Sequence, residues 1–217
     1  MHTFGDSKGF TLVEILIALV ISTFIIGAIF IASLVGQEAA SGIEQKVSVQ
    51  QDVRAALDLM AMEISMASYN PSADKSLIKW QDKNCQVVGT TANRGIQQAD
   101  GSNLTVEMDL NGDGNVTGAN ELITYAYANQ QITRTTVCDG NTQTLIGGTN
   151  VQVLNVPGTP VFQYFDGNNN PTANAPDIRR IAITLVVQSS TVDTQGQART
   201  MVYSTSVIPR NHIMSIQ

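Results

Sequence analysis

From Phe10 to Val35 the chain is apolar at almost every position, and Glu14 is the only charge in the run. At 1.5 Å per helical residue this stretch reaches about 39 Å, enough to cross a bilayer core of about 30 Å with tilt. After Gly36 the pattern becomes amphipathic: Ile43, Val47, Val53, Leu57, Met60 and Ile64 recur at spacings near three, four and seven, which predicts one apolar stripe on a polar helix. Good helix formers fill Glu44 to Ala67. Asn70-Pro71 then supplies a stop, because proline restricts the residue before it and cannot continue the hydrogen-bond ladder. Together the two stretches predict one nearly continuous helix from Phe10 to about Ser68, close to 90 Å long. That length exceeds any bilayer, so the second half must pack outside it, most simply on the chain's own domain. Gly27, Gly36 and Gly42 lie within the helix, and each costs about 1 kcal/mol relative to alanine. They mark either bend or melting points or places where neighbouring helices approach closely.

Beyond Pro71 the pattern changes to short runs with a period of two. Candidate strands are Leu104 to Met108, Leu122 to Ala128, Ile132 to Val137, Val151 to Val156, Val161 to Phe165, Ile178 to Gln188 and Thr200 to Pro209. Alternation is clearest where Ile123, Tyr125 and Tyr127 share a face, and Asn129-Gln130-Gln131 predicts a hairpin turn into the next strand. Consecutive strands with short connections predict an antiparallel meander. The expected fold class is α+β: a long N-terminal helix, half membrane-spanning and half amphipathic, packed on an antiparallel β-sheet domain.

Composition narrows the function. Lys and Arg total 12 against 18 Asp and Glu, and the basic residues are scattered, so no basic stripe marks a nucleic-acid surface. The acidic excess reads as a solubility feature, with cation binding as the alternative. After the apolar run there is one histidine, His212, with no nucleophile motif and no phosphate-binding glycine signature, so the chain is not expected to be an enzyme. Two cysteines and two histidines, one of them His2, do not make a zinc site.

One stretch carries possible metal chemistry. Asp109-Leu110-Asn111-Gly112-Asp113-Gly114-Asn115-Val116-Thr117 places oxygen ligands at alternating positions before a glycine that permits a sharp turn, and it resembles an EF-hand or dockerin calcium loop. On that pattern Asp109, Asn111 and Asp113 supply side-chain oxygens, Asn115 a backbone carbonyl, and Thr117 a direct or water-bridged ligand. The twelfth position holds Asn120, with Glu121 one residue later, so the bidentate acid is missing or displaced. The alternative is an Asn/Asp/Gly turn without metal, since these are also the common turn formers. Asp166 to Pro171 reads as a loop, and no role follows for Arg179-Arg180.

An ionised carboxylate inside a membrane costs on the order of 2.5 to 3.5 kcal/mol on insertion scales, so Glu14 needs a cation. The apolar run is too long for the core of an ordinary secretory signal and lacks its cleavage site, while a plain single-pass anchor remains an alternative. Gly9-Phe10-Thr11-Leu12-Val13-Glu14-Ile15-Leu16-Ile17-Ala18-Leu19 resembles the class III signal of type IV pilins and type II secretion pseudopilins. That resemblance implies cleavage after Gly9 by a membrane prepilin peptidase, N-methylation at Phe10, and assembly of the apolar helices into a filament. It also implies that Glu14 pairs with the N-terminal amine of a neighbouring subunit, which neutralises two charges that are costly to bury singly. The implied organisation is a leader at 1–9, a transmembrane and assembly helix at 10–35, an amphipathic helix at 36–70 and a β-rich globular domain at 71–217. The subunit would start in the inner membrane with its domain in the periplasm and end in a pilus filament or at its tip.

The resemblance places Cys85 and Cys138 in an oxidising compartment, where a disulfide is the expectation and two free buried thiols the alternative. Joined, they close a loop of about 54 residues, which the chain-entropy model values at roughly 4 kcal/mol. Phe162-Gln163-Tyr164-Phe165-Asp166-Gly167, Ile178-Arg179-Arg180-Ile181-Ala182-Ile183 and Val207-Ile208-Pro209-Arg210-Asn211 look like the C-terminal half of PilW-type minor pilins and J-type pseudopilins. This implies a minor pilin that joins other minor pilins, the major pilin and an inner-membrane assembly platform, and that primes or caps a type IV pilus. A pseudopilin at the tip of a secretion pseudopilus is the second reading, and a membrane-anchored calcium-binding adhesin that never polymerises is the third.

Overall fold

The structure, a computed structural model, describes residues 9–71, 85, 95–148, 151–156, 158–192 and 198–214. The chain divides into two compact units, residues 1–46 and 47–217. Helix α1 (Leu12–Ser65) starts in the first unit and ends in the second. Within the first unit it runs unbroken through Gly27, Gly36 and Gly42, each with open space where a Cβ would sit. Of the two readings left open for these glycines, melting is not seen. The helix ends where Met66 and Ala67 donate backbone bonds of 3.1 Å to Glu63 and Ile64, tightening the last turn. Ser68, at φ 67°, then turns the chain away.

In the second unit the buried stripe of α1 is Val49, Val53, Ala56, Leu57, Met60 and Ile64, continued by Ala67. The expected stripe was wrong at its start: Ile43 is 63% and Val47 44% exposed, while Val49 is buried. Helical geometry explains the difference. At about 100° per residue Val47 lies some 200° around from Val49, and only the 49–53–57 and 56–60–64 rows share a face.

Five strands form an antiparallel meander: β1 (Ile96–Ala99), β2 (Asn103–Glu107), β3 (Leu122–Ala128), β4 (Gln131–Thr136) and β5 (Asn141–Ile146). The β3–β4 connection is a two-residue turn, with Ala128 opposite Gln131 and both Asn129 (φ 50°) and Gln130 (φ 62°) left-handed. That is the twist a tight hairpin requires. A second sheet contains β6 (Val151–Val153), β7 (Phe162–Phe165), β8 (Arg180–Val192) and β9 (Ala198–Val207). It is not a continuation of the meander. β7 pairs with β8 from Arg180 to Ile183 and β6 with the stretch from Val187 to Ser189, while β9 runs along the opposite edge. Two strands of three and four residues are each too short to pair along a thirteen-residue strand, so both share one of its edges. Helix α2 (Arg210–Met214) follows.

Leu104, Val106, Ile123, Tyr125 and Ile132 of the first sheet and Ile181, Ile183, Leu185 and Val187 of the second join the α1 stripe in one hydrophobic core. Burying each large aliphatic side chain contributes about 1.5 to 3 kcal/mol. Polar side chains tie the two sheets together. The Tyr127 hydroxyl donates to the carbonyls of Val153 and Asn155, each at 3.0 Å. Asn155 in turn donates to Thr159 and Thr184 and accepts from the Val186 amide.

Candidate processing and assembly site

Thr11 and Glu14 form a capping box at the start of α1. The Thr11 amide and hydroxyl both donate to Glu14 Oε2, at 2.8 and 2.9 Å, and the Glu14 amide donates back to Thr11 Oγ1 at 3.3 Å. Two orphan donors of the helix end are thereby satisfied reciprocally. The sequence carried this signal as Thr-x-x-Glu ahead of an apolar run, and reading Glu14 only as an acid in search of a cation missed it. Glu14 Oε1 receives no hydrogen bond among the described residues. Gly9 and Phe10 lie outside the helix, and Phe10 is 85% exposed.

The rest of the apolar segment offers hydrocarbon to its surroundings. Its large side chains are exposed, and two of its hydroxyls bond back into the helix, Ser22 to the Ala18 carbonyl at 2.7 Å and Thr23 to the Leu19 carbonyl at 2.6 Å. By length and composition this helix can cross a membrane.

The Asp109–Glu121 loop is closed by its own backbone. Asp109 accepts from the amides of Gly112 (2.7 Å) and Gly114 (3.1 Å), Asn111 from Asp113, and Asp113 from Asn115. The Asn115 amide holds the Asp113 carboxyl below the usual range. The expected ligands Asp109, Asn111, Asp113 and Asn115 are thus gathered in one turn, while Thr117 is exposed. The last two positions are already engaged, Asn120 with a side chain outside the loop and Glu121 with amides inside it. Asn120 accepts from Arg134 at 2.7 Å, and Glu121 accepts from the amides of Leu110, Asn111 and Gly118. Among the described residues no group of three or more His, Cys, Asp or Glu side chains is placed to hold a metal ion.

Two further features anchor this region. Cys85 and Cys138 are joined by a disulfide across a separation of 53 residues. In the core, Glu63 of α1 meets Arg134 of β4 in a buried ion pair, with Arg134 NH2 at 2.7 Å and Nε at 3.0 and 3.2 Å, and Tyr125 of β3 donates its hydroxyl to the same carboxylate. Burial, and then the Glu63 charge, push the Tyr125 phenol up. The hydrogen bond to Glu63 raises Arg134 in the same way. Sequence reasoning passed over this pair. The available signal was phase: Glu63 falls on the buried face of α1, and Arg134 lies between Ile132 and Thr136 on the inner face of β4.

A capped apolar helix that carries one acid and ends against an antiparallel domain defines a type IV pilin-like protein. The prokaryotic N-terminal methylation motif matches residues 5–30, and the family described as prepilin peptidase-dependent protein B matches residues 43–206. The second match covers most of the chain, which therefore belongs to the prepilin peptidase-dependent protein B family. No curated protein and no solved structure matches it. Proteins of this kind are structural subunits, processed by prepilin peptidase and held in the membrane by the apolar helix before assembly.

Proposed function

We propose that the chain is a minor pilin of the PilW type, cleaved between Gly9 and Phe10, methylated on the new amine and assembled with other minor pilins on an inner-membrane platform to prime or cap a pilus. In this reading residues 1–9 are the leader, 10–35 the assembly helix, 36–70 the amphipathic helix and 71–217 a periplasmic globular domain. The observation that carries it is Glu14, the one charge of the apolar segment, with Oε2 held by Thr11 and Oε1 left for a partner. The freed amine of a neighbouring subunit supplies the opposite charge and removes a cost that lipid imposes on both groups.

Mass spectrometry of the envelope form tests the processing, with a methylated Phe10 start as the expected result. An intact leader would favour the non-polymerising adhesin. Glu14→Ala is expected to be cleaved but poorly incorporated into filaments, and normal incorporation would remove the pairing role. A pseudopilin uses the same chemistry, and the genes neighbouring this one separate the two.

Calcium in the 109–121 loop rests on the alternating ligands Asp109, Asn111 and Asp113. With Glu121 committed to three amides, the expected effect is a small rise in Tm. Equal melting in calcium and in chelator would exclude it.

A further inference from the structure

We propose that Thr11 is a positioning residue for leader removal: by capping α1 it fixes the helix start at Leu12 and keeps the Gly9–Phe10 peptide bond in non-helical chain. The inference rests on the cleavage of that bond proposed above. Hydrolysis adds water across it, so that Gly9 leaves with a carboxylate and Phe10 keeps the amine. A protease acts on locally open chain, because a helical peptide has its carbonyl bonded one turn ahead and its neighbours wrapped around it.

Three observations place the boundary. Gly9, Phe10 and Thr11 are outside the helix, which begins at Leu12. Thr11 Oγ1 accepts the Glu14 amide and also donates to the Glu14 carboxylate, so one side chain fills both halves of the cap. Among the described residues, no atom beyond the chain neighbours of Gly9 lies within 4 Å of where its Cβ would sit, so no described part of the chain folds over that side of the scissile bond.

Without the Thr11 hydroxyl the helix has reason to run further back. Phe10 continues the apolar run, and Ser7 and Asp6 are the next residues of N-cap type. A start there would draw the Gly9–Phe10 bond into the first turn. Gly9 disfavours helix on its own, so the cap adds to an existing bias and its loss has a moderate effect.

The test is a time course of leader removal from the full-length chain in detergent by purified prepilin peptidase. Thr11→Val keeps the shape and deletes the hydroxyl, while Thr11→Ser keeps a capping group. The Val variant is expected to be processed about fivefold more slowly, with the loss in KM rather than kcat because fewer molecules present the open bond. The Ser variant should stay within about twofold of wild type. Glu14→Ala, which leaves Thr11 Oγ1 able to accept the amide of residue 14, should fall between them. Wild-type KM for the Val variant, or a Ser variant as slow as Val, overturns the inference. An uncleaved wild type instead overturns the cleavage on which it rests, and is visible before any variant is compared.

Discussion

Removing the Glu63 carboxylate should destabilise the domain by several kcal/mol, about 3 to 5. Glu63 and Arg134 are about nine-tenths buried at the side chain, and the carboxylate takes three bonds from Arg134 and one from Tyr125. In Glu63→Ala, Arg134 keeps, among the described residues, only its bond to Asn120, and the Tyr125 hydroxyl loses the Glu63 acceptor. Breaking a buried pair from one side costs about 3 to 5 kcal/mol, because the remaining charge is left uncompensated. For a domain of this size that corresponds to a fall in Tm of roughly 10 °C. The double variant Glu63→Leu/Arg134→Met replaces the pair with hydrocarbon and should return to within about 2 kcal/mol of wild type, since well-packed apolar replacements are often neutral. Thermal melts of the full-length chain in detergent, followed by near-ultraviolet circular dichroism, measure all the variants. A loss below about 1 kcal/mol for Glu63→Ala, or a double variant costing the sum of two single losses, would refute the account, because contacting charges must couple.

Other outcomes follow from backbone geometry and charge. Gly95, at φ 74°, lies so close to Ser68 that an added Cβ would come within 2.5 Å of its Cα, so Gly95→Ala should cost about 3 kcal/mol in chemical denaturation. Gln130 occupies a left-handed position that glycine fills without strain, so Gln130→Gly should raise stability by about 1 kcal/mol in the same assay. Acid should weaken the domain. Asp113 is held below the ordinary range by the Asn115 amide, Asp139 by the Thr136 hydroxyl and Asp166 by the Asn170 amide. Groups shifted downward contribute stability above the unfolded pKa of roughly 4, and that stability is lost as pH falls through their folded values. Melts between pH 6 and 3 should show Tm dropping below about pH 4.

Much of the fold could be read from periodicity. β3 was expected at Leu122–Ala128 and lies there, because its period-two face is unbroken. β8 and β9 were found within a few residues, being rich in β-branched side chains. β1 (Ile-Gln-Gln-Ala) and β5 (Asn-Thr-Gln-Thr-Leu-Ile) were not found. Each is mostly polar, and becomes a strand by pairing with a neighbour that already has one. Pairing is a long-range property that local pattern does not record. The first helical turn was legible as a membrane acid but not as a cap, because the hydropathy of the run hid the Thr-x-x-Glu signature. The Glu63–Arg134 pair was hidden for a related reason: two charges spaced 71 residues apart say nothing of each other until helix and sheet are docked.

The second sheet differs from the first in how failure would spread through it. β6, β7 and β9 each pair with β8 and with no other strand of that sheet. The meander can fray from either border one strand at a time, whereas the β8 sheet has no partial state that survives loss of its shared partner. Hydrogen exchange should therefore retreat gradually across the meander, but release β6, β7 and β9 together when β8 opens. The carboxyl-terminal third of the chain should open as one cooperative block that hangs on a thirteen-residue spine.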